Sequence, residues 1–146
     1  MPRVLSKSLL CGLILFSFSC ASGAARYAGE LPGSRLSEMS RFYVQHQPDD
    51  KRDIHLAIQE EMMLLGLSVD AGKGPPSDNY DAVVTYVDRY AWDVTMFCAQ
   101  LTLYVRDTRT GYVTATGWSW RPSTVRKTPQ GHARLILREL FGEESK

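Results

Sequence analysis

Residues 94–106 read VTMFCAQLTLYVR, and their apolar and polar side chains alternate. The apolar residues of one parity are Phe97, Ala99, Leu101, Leu103 and Val105. Gln100 and Thr102 have the opposite parity. Successive side chains of a β-strand point to opposite faces of the sheet. The run therefore predicts a strand in a sheet that is covered on one face.

Three further strands are predicted around this run. Residues 80–90 are rich in Val and Tyr and come directly before it. Residues 107–111 form a turn that ends in Gly, and they connect the run to residues 112–120. Residues 41–46 make an earlier strand, which Pro48 ends.

Two amphipathic helices complete the pattern. The first begins near Asp50, with Asp53 in the capping-box position, and ends at Gly66 in a left-handed cap. Its apolar stripe is Ile54, Ile58, Met62 and Leu65. The second has Thr128 as its N-cap and Pro129 at its first position. Its apolar stripe is Ala133, Ile136, Leu137, Leu140 and Phe141.

The element order β-α-β-β-β-α predicts an α+β fold. We expect an antiparallel sheet of about four strands with both helices on one face, because this arrangement buries both apolar stripes. The 146 residues suffice for one such domain, which we assign to residues 39–146. Residues 20–38 are rich in Ala, Gly and Ser and are interpreted as a flexible tether.

The first 19 residues have the pattern of a signal peptide. Arg3 and Lys7 precede an apolar run at residues 9–16, and small residues follow at 19–25. The run is shorter than the ~20 residues of a membrane-spanning helix. Without this segment the chain carries 15 basic and 16 acidic residues, a net charge of −1. With this balance the chain has no overall positive electrostatic potential that would attract nucleic acid.

The sequence Ser19-Cys20-Ala21-Ser22 resembles the lipobox of bacterial lipoproteins, although Ser17 stands where that pattern usually has Leu. The resemblance implies that Cys20 is acylated, by palmitate among other chains, and becomes the mature N-terminus. Ala21 at the next position implies the outer membrane. The alternative is cleavage near Ala24, which would release a soluble periplasmic protein.

Motifs of catalysis and metal binding are absent from the sequence. His46, His55 and His132 lie in different elements with no pair at ligand spacing, so we expect solvated or capping roles and no metal or other cofactor. Cys98 lies in an apolar stretch, which is typical of a buried, unreactive thiol.

Three acids near an aromatic strand raise the possibility of a carbohydrate-cleaving site. They are Asp81, Asp88 and Asp93. The odd separation of Asp88 and Asp93 puts them on opposite faces of a regular strand, which favours solvated or ion-paired roles. The sequence thus predicts a protein that is not an enzyme.

Four aromatic residues are candidates for an interaction surface: Tyr90, Trp92, Trp118 and Trp120. Trp118 and Trp120 have the same parity and therefore share one face of the sheet. If that face is open they form an exposed aromatic patch. We expect at least one of the two to belong to the core instead.

Residues 42–141 also resemble an uncharacterised group of proteobacterial envelope lipoproteins. The segments that carry the resemblance are 42–44, 50–52, 80–86, 92–96 and 115–117. The group has no established activity. The lipobox and the absence of catalytic motifs together predict a non-catalytic accessory module in the periplasmic leaflet of the outer membrane, bound to another envelope protein. The alternatives are a periplasmic small-ligand or glycan-binding protein and, more remotely, a hydrolase.

Overall fold

The computed structural model describes residues 23–142. The signal peptide and Cys20 lie outside the described residues. The strands are β1 (Ala25–Glu30), β2 (Arg41–Gln45), β3 (Ser68–Gly72), β4 (Ala82–Asp93), β5 (Thr95–Asp107) and β6 (Val113–Trp120). The helices are α1 (Ile54–Leu64) and α2 (Pro129–Phe141), with 3-10 turns at Leu36–Glu38 and Ser123–Val125. None of the helices in residues 23–142 has both the length and the apolar character needed to cross a bilayer.

The α+β class is confirmed, but the prediction of about four antiparallel strands is wrong in the number of strands and in their relative directions. The six strands form one mixed sheet in the order β1-β6-β5-β4-β2-β3. β2 is parallel to both β3 and β4, and the other neighbours are antiparallel. Because α1 connects β2 to β3, the two strands are joined by a crossover, and such crossovers connect parallel strands.

The two additional strands are β1 and β3, which the sequence analysis does not predict. β1 lies within the residues interpreted as a tether, and it pairs along β6 from Ala25↔Trp120 to Glu30↔Ala115. β3 lies at the other edge and pairs only with β2. Edge strands need few apolar residues, so their alternation is weak in the sequence. The folded part of the chain therefore begins well before residue 39.

Asp50 and Gly66 set the two ends of α1. The Asp50 carboxylate accepts hydrogen bonds from the backbone N–H groups of Arg52 (2.8 Å) and Ile54 (2.7 Å). Asp53 has a left-handed backbone (φ 53°) and its side chain makes no cap hydrogen bond, so the capping box is wrong. At the other end Gly66 has φ 81°, and the N–H of Leu67 donates to the Met62 carbonyl, as predicted for a left-handed cap.

The N-cap of α2 is confirmed, because the Thr128 hydroxyl accepts a hydrogen bond from the N–H of Gly131 (3.1 Å). The helix packs closely against β6 at Gly117. A Cβ atom there would lie 2.4 Å from Ile136 Cγ2 and 2.9 Å from the Ala28 Cβ. Only glycine allows this approach.

Both helices pack on the same face of the sheet, as predicted, and the core lies between the layers. Its fully buried members include Ile54, Ile58, Met62, Val84, Tyr86, Leu101, Leu103, Val105, Ile136 and Leu137. Glu61 is charged, but it is buried between the helices. Its carboxylate accepts two hydrogen bonds from the Arg134 guanidinium, at 3.0 and 2.8 Å.

Candidate functional site: a hairpin tip, an open aromatic face and a histidine cluster

The β4–β5 hairpin ends in an exposed apolar tip, residues 92–96. β4 ends at Asp93 and β5 begins at Thr95, so only Val94 separates the strands. The exposed fractions are 72% for Trp92, 85% for Val94 and 54% for Met96. Val94 also has φ 61°, a region that a β-branched residue rarely adopts. These three side chains contribute little to the core, so the fold does not account for their apolar character.

Arg126 holds the hairpin tip in place. Its guanidinium donates hydrogen bonds to the Asp93 carbonyl and, at 2.6 Å, to the Thr95 hydroxyl. It also lies 3.7 Å from the Asp93 carboxylate and 4.7 Å above the Phe97 ring. Arg126 lies in the connection between β6 and α2, so it ties the tip to another part of the fold. A tip held in this way loses less conformational entropy on binding than a free loop would.

A β-bulge lies below the tip. Arg89 pairs with Gln100 but Tyr90 pairs with Cys98, which leaves Ala99 as an extra residue in β5. The extra residue reverses the parity of β5, so Cys98 and not Phe97 lies on the face of Leu101. The predicted strand alternation is therefore wrong between residue 97 and the tip.

The bulge also determines the surroundings of Tyr90 and Cys98. Tyr90 is half-buried, with the Arg52 guanidinium 4.0 Å above its ring, and burial raises the pKa of its hydroxyl to about 12. Its ring is therefore partly covered, and its place in an interaction surface stays a prediction. Burial raises the pKa of the Cys98 thiol to about 11, so Cys98 is a buried and unreactive thiol, as predicted.

Trp118 and Trp120 lie on the face of the sheet that the helices leave open. They pair with Thr102 and Gln100, whereas the buried residues Ala115, Gly117 and Ser119 have the other parity. Their shared face is confirmed, and the expectation that one of them is a core residue is wrong. Trp120 is 36% exposed and Tyr27 on β1 is 47% exposed. A shallow groove of about 330 Å³ is lined by Ala25, Gln100, Trp118 and Trp120.

The three candidate acids do not converge. Asp81 accepts hydrogen bonds from the backbone N–H groups of Ser40 (2.8 Å) and Arg41 (2.9 Å), which lower its pKa and give it a structural role. Asp93 is paired with Arg126. Asp88 and Asp93 are five residues apart on β4, a span of about 17 Å along a strand. That separation exceeds the spacing of the two carboxylates in a glycosidase.

His132 is a core residue, so its predicted solvated or capping role is wrong. It is fully buried, with Nε2 3.1 Å from the Cys98 carbonyl and Nδ1 3.0 Å from the Ser119 hydroxyl. A carbonyl can only accept, so Nε2 carries the proton and Nδ1 accepts from Ser119. Burial lowers the pKa of the ring. The neutral imidazole thus links α2 to β5 and β6.

The other two histidines meet at the corner between β2 and α1. One donor atom from each of His46, Asp53 and His55 lies within 4.8 Å of the others. The fold turns back between residues 46 and 54, and this brings together residues whose separation in the sequence matches no metal motif. The spacing rule that excluded a metal therefore missed this group. His46, Asp53 and His55 together form the corner cluster.

Comparison with known proteins identifies a fold and no sequence family. No protein-family model and no curated protein matches the sequence. The chain is similar in fold to a PelC dodecamer from Paraburkholderia phytofirmans, with a TM-score of 0.59 and 14% identity over 83% of this chain and 99% of PelC. A second crystal form of PelC gives a TM-score of 0.58 at 13% identity, with the same coverage. A minor lipoprotein from Acinetobacter baumannii has a TM-score of 0.31 at 14% identity over 60% of this chain and 74% of that one, too low to support an argument.

Proposed function

We propose that this protein is a non-catalytic binding module of the cell envelope, anchored by a lipid on Cys20, that docks on another envelope protein through its hairpin tip. The observation that carries the proposal is the tip itself. Trp92, Val94 and Met96 form an exposed apolar surface. Exposed apolar patches of this kind mark interaction sites, and Trp is the residue that most often dominates interface energies.

The sheet register supports placing the tip near the anchor. β1 and β5 both pair antiparallel with β6, so they run in the same direction. Ala25 and Gln100 both pair with Trp120 and are therefore level. Cys20 precedes Ala25 by five residues, which span at most about 17 Å. Thr95 precedes Gln100 by the same number, so the start of β1 and the tip lie toward the same end of the sheet. This register supports an anchor at that end, because Cys20 is only five residues from Ala25 in the sequence.

The position of the tip near the anchor limits the kinds of partner protein that it can reach. A tip near the anchored end reaches proteins embedded in or seated on the membrane more easily than it reaches soluble ones. PelC, which has a similar fold, assembles as a dodecamer. The partners to be tested therefore include a second copy of this chain.

The decisive experiment compares three folded variants, Trp92→Ala, Asp93→Asn and Tyr112→Ala. Tyr112 is the matched control, because it is 77% exposed and lies beside the turn at the opposite end of β5. Truncating an interface anchor costs about 2 kcal/mol or more, which weakens binding roughly 30-fold. We expect crosslinked partner to be lost from Trp92→Ala alone, together with the envelope phenotype.

The Asp93→Asn variant distinguishes docking from catalysis. If Asp93→Asn alone abolishes function while partner recovery stays intact, the docking proposal fails and an enzyme becomes the better interpretation. Loss of partner recovery in all three variants would contradict a localised site at the tip.

The open face favours a second candidate, a small-ligand or glycan-binding protein. Trp118 and Trp120 border a shallow groove beside Gln100, and aromatic rings beside an amide are suited to sugar rings and hydroxyl groups. Titration of Trp fluorescence with oligosaccharides tests this candidate. A saturable signal that Trp118→Ala removes and Trp92→Ala preserves would favour it over docking.

A further inference from the structure

The corner cluster combines two imidazoles and one carboxylate at the end of β2 and the start of α1. The His46 and His55 rings are edge to face with their centroids 4.5 Å apart. The backbone N–H of His46 donates a hydrogen bond to the Gly72 carbonyl at 2.9 Å, and this bond fixes the backbone at the corner. Imidazole nitrogens with a carboxylate oxygen form a donor set typical of divalent transition metals.

His46 has the hydrogen bond expected of a metal ligand. Its Nε2 lies 3.1 Å from the Asp50 carbonyl. Because a carbonyl can only accept, Nε2 carries the proton and Nδ1 of the neutral ring carries the lone pair. Histidines that bind metals usually donate their second ring N–H to a carbonyl or carboxylate in this way.

His55 supplies an independent observation. It is 4% exposed, and its buried Nδ1 makes no hydrogen bond within residues 23–142. The nearest carboxylate oxygen, Asp50 Oδ2, is 3.8 Å away and already accepts from Ile54 and Tyr86. A buried polar nitrogen without a partner is costly.

Asp53 is free to take part. As the N-cap of α1 it would normally bond the first turn, but its side chain makes no such bond and Asp50 does so instead. Its side chain is exposed and able to rotate. The donor atoms around a tetrahedral zinc ion are about 3.4 Å apart. The donor atoms of the corner cluster lie within 4.8 Å of one another, so they must move closer together to bind the ion. Asp53 is the member able to move.

We propose that the corner cluster, His46, Asp53 and His55, binds one divalent transition-metal ion of the zinc class, with water at the remaining position. The ion connects the end of β2 to the start of α1. This site is separate from the hairpin tip, and the proposal does not depend on the docking function.

The test is calorimetric titration of the untagged chain with zinc chloride, repeated for His46→Gln and Asp53→Asn. Asp49→Asn is the matched control, because Asp49 is an exposed neighbouring acid outside the cluster. We expect one zinc ion per chain, at least tenfold weaker binding in each ligand variant, and unchanged binding in Asp49→Asn. Cobalt(II) should give the visible absorption of a tetrahedral site in the wild type alone.

Two results would overturn the proposal: no heat of binding at 100 μM zinc, or equal affinity in all four proteins. Circular dichroism confirms that each variant is folded. If one ligand variant unfolds, the other still decides the question.

Discussion

Leu137→Ala tests how the two helices pack on the sheet. Leu137 is fully buried on α2, as is Ile58 on α1. Truncating either side chain removes apolar atoms from the core and leaves a cavity, because the surrounding structure relaxes only in part. Each change should lower the free energy of unfolding by about 2–5 kcal/mol. Glu60 is exposed and has the surface role expected of it, so Glu60→Ala should cost less than about 0.5 kcal/mol.

The assay is urea denaturation followed by circular dichroism. With a slope near 2 kcal/mol per molar urea, Leu137→Ala should move the midpoint down by about 1–2.5 M and leave the slope unchanged. Ile58→Ala should behave in the same way. Equal midpoints for Leu137→Ala, Ile58→Ala and Glu60→Ala would refute the assignment of the helix faces.

Three further predictions concern the close approach of α2 to β6, the ion pair between Glu61 and Arg134, and the lipid anchor. Gly117→Ala places a methyl group against Ile136 and should cost about 1–3 kcal/mol in the same urea assay. Arg134 lowers the pKa of Glu61 in the folded state, so the pair stabilises the fold above the ordinary Glu pKa and loses this effect as pH falls. Glu61→Gln should therefore flatten the acid limb of the stability profile measured from pH 6 to pH 3. Cys20→Ala should abolish acyl labelling and move the protein to the soluble periplasmic fraction, and an unlabelled wild type would contradict the lipoprotein prediction.

The elements with strong local signals could be predicted from the sequence. Thr128-Pro129 and Gly66 have intrinsic backbone and capping preferences, so they mark helix ends whatever the rest of the chain does. Leu101, Leu103 and Val105 alternate because the helices cover one face of β5 completely. The bulge at Ala99 could not be predicted, because a single extra residue leaves no mark on composition and yet reverses every side chain beyond it.

The candidate sites depended on tertiary contacts and were harder to predict. Trp92 is exposed because it lies at the end of a hairpin. The sequence pattern predicted strands on either side of it, but not its exposure. Trp118 and Trp120 could be assigned to the open face only from the pairing of β6 with β5, which the sequence does not fix. His46 and His55 meet because the chain reverses between β2 and α1, and no spacing rule encodes that reversal.

Photocrosslinking in intact envelopes tests whether the hairpin tip contacts a partner protein at the anchored end. A photoreactive amino acid replaces Val94, which is 85% exposed, and in a parallel protein it replaces Tyr112, which is 77% exposed. If the tip docks on a partner, we expect a discrete protein adduct from position 94 and none from position 112. Adducts of equal yield from both positions, or only lipid adducts from position 94, would contradict docking through the tip.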